Sequence, residues 1–270
     1  MSKIIDCVTF FQENLQMEIR FAILKDVVDK FVICESVYDH RGNPKKINFS
    51  KEDYPEVKNK IKNLILDKKF PSKNTPWQNQ AWQREFIFNG ILDETAEDYI
   101  MFSDPDEIPN PKLLKNFNLK NKYGIFFQKM FTYKINLFNK HETPWEGTRI
   151  CKKKNLKSID WLRQKVVSKN LKYGFWRFDK EKNIEIIKDG GWHFNYLLEP
   201  KDITKKFKSL AETSWDKEKY YNEEVIKDKI KNKEDLFERG HKFEYVSIDE
   251  SYPDYLRKNQ DKYSKWILDE

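Results

Sequence analysis

The run Ile4-Ile5-Asp6-Cys7-Val8-Thr9-Phe10-Phe11, taken together with residues 12–35, constrains the fold more than any other stretch of the chain. It is short, apolar and rich in β-branched and aromatic residues, which predicts a strand. Leu15, Ile19, Ala22, Ile23 and Val27 then recur at helical spacing, and residues 31–35, Phe-Val-Ile-Cys-Glu, form a second compact apolar run ending in a carboxylate. A strand, a helix and a strand so close together make a βαβ unit, which implies a parallel sheet with a right-handed crossover. The class is therefore α/β, and 270 residues are enough chain for one large domain of that class.

Local signals place further elements. Gly42 and Pro44 mark a loop over residues 40–49, and the Lys-rich stretch from there to residue 69 reads as a solvated helix. At Thr75-Pro76-Trp77-Gln78 a Thr N-cap, a first-turn Pro and a Gln three residues after the cap coincide, predicting a helix that runs to about Gly90. Its row Trp77, Ala81, Phe88, Ile91 is expected to face the core, with Arg84 as a charge within it. Residues 99–103, Tyr-Ile-Met-Phe-Ser, predict a buried strand, and the two prolines of Asp104-Pro105-Asp106-Glu107-Ile108-Pro109 stop its ladder. A further pair of strands is expected between Lys122 and Phe138, and a late strand before Gly190-Gly191, whose glycines allow close backbone approach to a ligand. The result is a mixed, mostly parallel sheet flanked by helices over 1–200, with a basic, amphipathic helical extension over 201–270 packed on it.

The chemistry concentrates at the acidic turn. Side chains at i and i+2 of an extended backbone point the same way, and Pro105 drives Asp104 toward extended geometry, so Asp104 and Asp106 are expected to face one space. Two hard carboxylates at a strand end suit Mn²⁺ or Mg²⁺ when a diphosphate and water complete the shell. A solvated acidic turn is the plainer alternative. His193, in Gly190-Gly191-Trp192-His193, is a candidate third ligand or diphosphate contact, unless Trp192 and His193 simply fill the core. His40, His141 and His241 lie in polar, loop-like surroundings and compete poorly. Arg84 could reach a phosphate or clamp the acidic turn, or merely snorkel past the edge of its helix. Trp145 could stack on a sugar face, although most tryptophans are core. Glu107, Glu146 and Asp189 are the candidate bases, with Glu107 first because it adjoins the aspartate pair, even though continued strand geometry would turn it away.

Other classes lose support. No GxGxxG, GxxxxGK[ST], GxSxG or HExxH occurs anywhere in the chain. Cys7, Cys34 and Cys151 are odd in number and show no CxxC spacing, which points to reduced thiols and a cytoplasmic setting. No stretch approaches the roughly 18 apolar residues of a membrane span. A net charge of +7 suits an anionic partner without naming one.

Residues 4–36, the turn Ser103-Asp104-Pro105-Asp106-Glu107-Ile108-Pro109, residues 190–198 and residues 253–268 resemble, in that order, blocks of the family-17 glycosyltransferases. The resemblance implies a GT-A-like nucleotide-sugar fold and an inverting transfer from a UDP-sugar, with UDP-GlcNAc the expected donor and a glycan the acceptor. It implies metal binding by Asp104 and Asp106, and places Glu35 facing the nucleoside, with Gly42 and Lys45 in the loop after it. Arg84 and Trp192 match family positions, and Asp6 joins the substrate-binding candidates. No nucleic-acid partner is expected. A metal-dependent nuclease or phosphotransferase, and a non-catalytic glycan-binding module, remain the alternatives.

Overall fold

The computed structural model describes residues 2–212 and 220–269. It begins with the expected βαβ unit: β1 (Ile4–Phe10), α1 (Asn14–Leu24) and β2 (Lys30–Ser36), with β1 and β2 parallel. β3 (Ile61–Leu66) joins β2 in parallel, so the Lys-rich region contributes a strand in place of the expected solvated helix. The lysines occupy short 3-10 turns before it, while Ile61 and Leu66 bury at its ends. α2 (Pro76–Phe86) starts on the predicted capping box: Thr75 Oγ1 accepts from Gln78 N and Gln78 Oε1 from Thr75 N. A 3-10 turn, Ile87–Gly90, continues it.

The expected row is buried only in part. Ile91 and Arg84 are buried, whereas Trp77 and Phe88 are exposed, and the buried face of α2 and the turn after it carries Asn79, Gln83, Arg84 and Ile87. A polar face can be buried only where its groups find partners. Gln83 Nε2 donates to Cys34 O at 2.9 Å and Asn79 Nδ2 to His40 O at 2.9 Å, so this face ties the helix to the loop after β2.

β4 (Tyr99–Ser103) pairs in parallel with β1 and ends at the acidic turn. β5 (Glu107–Pro109) and the short α3 (Pro111–Leu114) come after it, then β6 (Tyr123–Thr132), β7 (Leu137–Phe138) and β8 (Trp145–Lys152). β8 runs antiparallel between β4 and β6 and joins the parallel half, β3-β2-β1-β4, to the mixed half. α4 (Ile159–Lys165), β9 (Ile184–Ile187) and β10 (Gly191–Asn195) come next; both strands lie parallel to β6, and β10 also pairs antiparallel with β5. α5 (Pro200–Ser209), α6 (Glu223–Lys231), β11 (Glu244–Tyr245) and α7 (Asp254–Lys258) complete the described chain, with β11 paired to β7.

Strand alternation divides the core between the two faces of the sheet. Ile4, Val8, Phe31, Ile33 and Met101 pack under α1 and α7. Ile5, Cys7, Val32, Cys34, Ile100 and Phe102 pack under α2 and α4. The three cysteines are buried and free. The parallel strands end together at one edge, where ligands of open α/β sheets bind. Among the described residues, no helix is long and apolar enough to cross a membrane.

Candidate active site

A cleft of about 330 Å³ opens at that edge. Thr9, Phe10 and Phe11 reach it from the end of β1, Asp104, Pro105 and Asp106 from the turn after β4, and His193 and Asn195 from β10. Asp104 and Asp106 thus share one space. A tight turn through Pro105, closed by Glu107 N donating to Asp104 O at 3.0 Å, brings this about in place of the expected extended backbone, while Glu107 turns inward to begin β5.

Asp104 is the half-exposed member of the pair. Its Oδ2 accepts from Arg163 Nη2 at 2.6 Å, and its Oδ1 stands 3.8 Å from Arg84 Nη2. Burial works to raise its pKa, but the two guanidiniums outweigh it and hold the carboxyl below its usual range. Asp106 is buried. Its nearest cations are looser, with His193 Nε2 and Lys206 Nζ each at 3.5 Å. Against the same desolvation, Lys206 and then His193 hold this carboxyl well below the usual range. His193 gains in return: burial lowers its pKa, the neighbouring Asp106 outweighs that, and the net shift is upward. Its Nδ1 is buried without a partner, and the Trp145 ring lies 5.0 Å away, centroid to centroid.

Lys206, on α5, is the cation that sequence reasoning misses. It lies 3.1 Å from Glu13 Oε1 and within reach of Asp106, and these two outweigh desolvation to keep its ammonium protonated. Ser209, Leu210, Phe237 and Arg239 also line the cleft, so residues beyond 200 build one wall. No local signal marks Lys206 among the many lysines of that region. His40, which its loop-like surroundings rank low, also lines the cleft, with its Nε2 2.9 Å from Gln83 Oε1.

The expected bases are elsewhere. Glu107 is wholly buried and its oxygens are taken up: Trp145 Nε1 donates at 2.7 Å, Arg163 at 2.7 and 3.0 Å, and Asp104 N at 3.1 Å. Glu146 accepts from Ser168 N and Oγ and faces Arg149. Asp189 sits at φ 49° in the turn before β10 and lines a different cavity. The carboxylates that do line the cleft, beyond the aspartate pair, are Glu13, Asp39 and Glu142.

Several expected binding residues serve the scaffold. Asp6 is fully buried in a two-pronged pair with Arg20, Oδ1 to Nη2 at 2.5 Å and Oδ2 to Nε at 2.6 Å, so it does not reach the cleft. Glu35 is wholly buried and does not line the cleft: it pairs with Lys45 and accepts from Asn48 N and Phe49 N, each at 2.9 Å, closing the loop after β2. Gly42 lies in that loop at φ 87°, while Lys45 reaches the cleft wall. Trp192 alternates away from His193 along β10 and packs in the core, donating to Ser251 O at 3.1 Å. Arg84 clamps the acidic turn from behind, bridging Asp160 at 2.9 Å and Asp104. The glycine pair admits close backbone: a Cβ on Gly191 would lie 2.1 Å from Ile108 O.

The donor set suits a hard cation in part. Among the described residues no three His, Cys, Asp or Glu side chains gather into a metal cage, and His193 stands in the same cleft with its Nε2 3.5 Å from Asp106. Mg²⁺-type ions, however, take one or two carboxylates and complete their shell with phosphate and water. Asp104 and Asp106 offer that, with His193 Nε2 and Lys206 Nζ each 3.5 Å from the Asp106 carboxylate.

The model of glycosyltransferase family 17 matches residues 1–252. The chain belongs to this family. That family is one of glycosyltransferases. Among curated relatives, this family-17 chain is similar to the β-1,4-mannosyl-glycoprotein 4-β-N-acetylglucosaminyltransferases of Rattus norvegicus and Homo sapiens. Each is 26% identical over 117 residues, 40% of this chain and 22% of the relative, so the match spans about a fifth of their length. Among solved structures it is similar to HddC from Yersinia pseudotuberculosis, at TM-score 0.40 and 11% identity over 70% of this chain and 90% of that one. It is also similar to a glycosyltransferase involved in the glycosylation of the major capsid of PBCV-1, at TM-score 0.31 and 10% identity over 69% and 82%. Likenesses this distant carry no argument. The GT-A-like layout rests on the chain itself: a parallel half-sheet, a connecting antiparallel strand, and an acidic turn at the carboxyl edge.

Proposed function

We propose that this glycosyltransferase moves a sugar, GlcNAc by the relatives' names, from a UDP-sugar to a glycan acceptor with inversion at the anomeric carbon. The observation that carries the reading is the Asp104-Pro105-Asp106 turn on the wall of a cleft that also holds Lys206. Arg84 and Arg163 fix Asp104 from behind, and Arg20 fixes the start of β5 by donating to Glu107 O at 2.6 Å. The turn is thereby held rigid before a donor arrives.

Bound by Asp104 and Asp106, Mn²⁺ or Mg²⁺ would supply positive charge to the departing diphosphate. Lys206 faces the same space and adds a fixed cation for the charge that develops there. Trp145 presents its ring to the cleft while its indole N–H is held by Glu107, which suits it to pack against a sugar face. The acceptor hydroxyl gives its proton to a carboxylate on the cleft wall as its oxygen attacks the anomeric carbon, and the anomeric bond to the diphosphate breaks. Glu13, Asp39 and Glu142 are the acids available beside the aspartate pair.

Calorimetry of UDP and UDP-GlcNAc with and without Mn²⁺, on the wild type and on Asp106→Asn, tests the reading. Metal-dependent UDP binding that vanishes in the variant is the expected result. Full binding and donor turnover by Asp106→Asn would overturn the assignment of the turn, and tighter binding of another nucleotide would overturn the donor class.

A further inference from the structure

The large exposed side chains are not scattered. Phe175, Trp176 and Phe178 are 83%, 65% and 91% exposed, three aromatics within four residues on the segment between α4 and β9. Isolated exposed apolar residues are ordinary on a protein surface, whereas a contiguous aromatic cluster marks an interaction site.

The segment holds these rings outward by its own structure. Arg177 N donates to Gly174 O at 3.1 Å, Phe178 N to Trp176 O at 3.0 Å and Lys180 N to Arg177 O at 3.1 Å, so successive turns fix the backbone. Lys182 Nζ ties back to Gly174 O. Arg177 stacks over Tyr173, 5.1 Å from the ring centroid, and pairs with Asp179 through two bonds of 2.7 Å. Tyr173 is thus covered from inside the loop, while Phe175 and Trp176 pack edge to face with centroids 5.4 Å apart and point into solvent. Trp176 lies over Gly174, where a Cβ would come within 2.4 Å of its ring.

Charge identifies the partner. Residues 165–182 carry six cations, Lys165, Lys169, Lys172, Arg177, Lys180 and Lys182, against two carboxylates, Asp179 and Glu181. Lys165, Lys169 and Lys172 are exposed, and among the described residues no ion pair engages them. Both carboxylates are engaged within the segment, Asp179 by Arg177 and Lys180 and Glu181 by the backbone N–H groups of Lys182 and Asn183, so the charge this loop offers a partner is the lysines'. A sheet of phosphate headgroups over hydrocarbon matches both halves of the patch: rings enter the interface and lysines meet the anionic surface. None of these residues lines the cleft, so the patch is separate from the chemistry.

We infer that the aromatic loop Tyr173–Lys180, with its basic border, docks the enzyme on an anionic lipid surface. Such docking holds the cleft beside acceptors carried at that surface. The attachment is peripheral, through interfacial aromatic insertion and headgroup attraction, and is reversed by salt.

The test is co-sedimentation of the full chain with phosphatidylcholine vesicles and with vesicles containing phosphatidylglycerol, in low and high salt. The wild type is expected to bind the anionic vesicles and to release as salt rises. Phe175→Ser/Trp176→Ser/Phe178→Ser and, separately, Lys169→Glu/Lys172→Glu should each weaken binding by about tenfold or more while the cleft still binds UDP. Soluble glycerophosphate competing as well as vesicles would show a phosphate site only and overturn the lipid assignment. Absence of vesicle binding by the wild type would overturn it too, as would a triple variant that binds vesicles normally. A wild-type dimer in ultracentrifugation that the triple variant dissociates would reassign the patch to self-association.

Discussion

Asp6→Leu provides the sharpest test of how the acidic turn is held. The substitution removes both carboxylate oxygens from Arg20, at 2.5 and 2.6 Å, and leaves a fully buried guanidinium whose remaining partners, Glu107 O and Ser103 Oγ, are uncharged. Breaking one side of a buried pair leaves an uncompensated charge and costs about 3–5 kcal/mol, a large share of a typical stability of about 5–15 kcal/mol. Asp6→Leu/Arg20→Met removes the charge altogether. Its remaining cost is the Arg20 bond lost by the Glu107 carbonyl, about 1–3 kcal/mol, since the Ser103 hydroxyl keeps Thr148 Oγ1 at 2.7 Å, and some of that is recovered by the apolar packing of the new side chains. The double variant should therefore be more stable than the single one. Urea unfolding at a constant m-value measures both. The single variant should also bind UDP less tightly, because Arg20 positions the backbone next to Asp106. A cost below about 1 kcal/mol for Asp6→Leu, or a double variant less stable than the single, would refute the account of a charge pair buried beneath the site.

Lys206→Met should weaken UDP-sugar binding by about tenfold or more in calorimetry, since it deletes a charge-assisted contact and leaves Asp106 and Glu13 facing each other; unchanged affinity would remove Lys206 from the site. Gly191→Ala should destabilise by about 2 kcal/mol or more in urea, because its φ of 127° and the 2.1 Å approach of Ile108 O both reject a side chain. His40 supplies the pH signature. Its burial holds its pKa below the ordinary value, so the unfolded chain takes up the proton first as pH falls. The stability that His40 contributes is whole above about pH 6.5 and is lost as pH drops through its lowered folded value. Urea midpoints measured across that range should fall more steeply for the wild type than for His40→Gln, and identical slopes would contradict the shift.

What the sequence by itself determined is what short-range rules control. The βαβ unit came from the apolar run of β1 and the helical spacing of α1, and the start of α2 from the capping box at Thr75. The pairing of Asp104 with Asp106 was also legible, but its geometry was not: a turn closed by Glu107 N to Asp104 O at 3.0 Å brings them together, and the strand period expected from Pro105 does not. The tertiary structure decided which polar groups meet. Asp6, Glu35, Glu107 and Glu146 read as chemistry in sequence, yet the first three are paired with a cation from another element or turn, namely Arg20, Lys45 and Arg163, and Glu146 with Arg149 of its own strand. Conversely, Lys206 lies a hundred residues from Asp106 and faces it only because α5 packs across the cleft mouth. A buried charge has to be matched by whatever side chain the packing brings beside it. Most such matches join residues distant in the chain, and no spacing in one sequence records them.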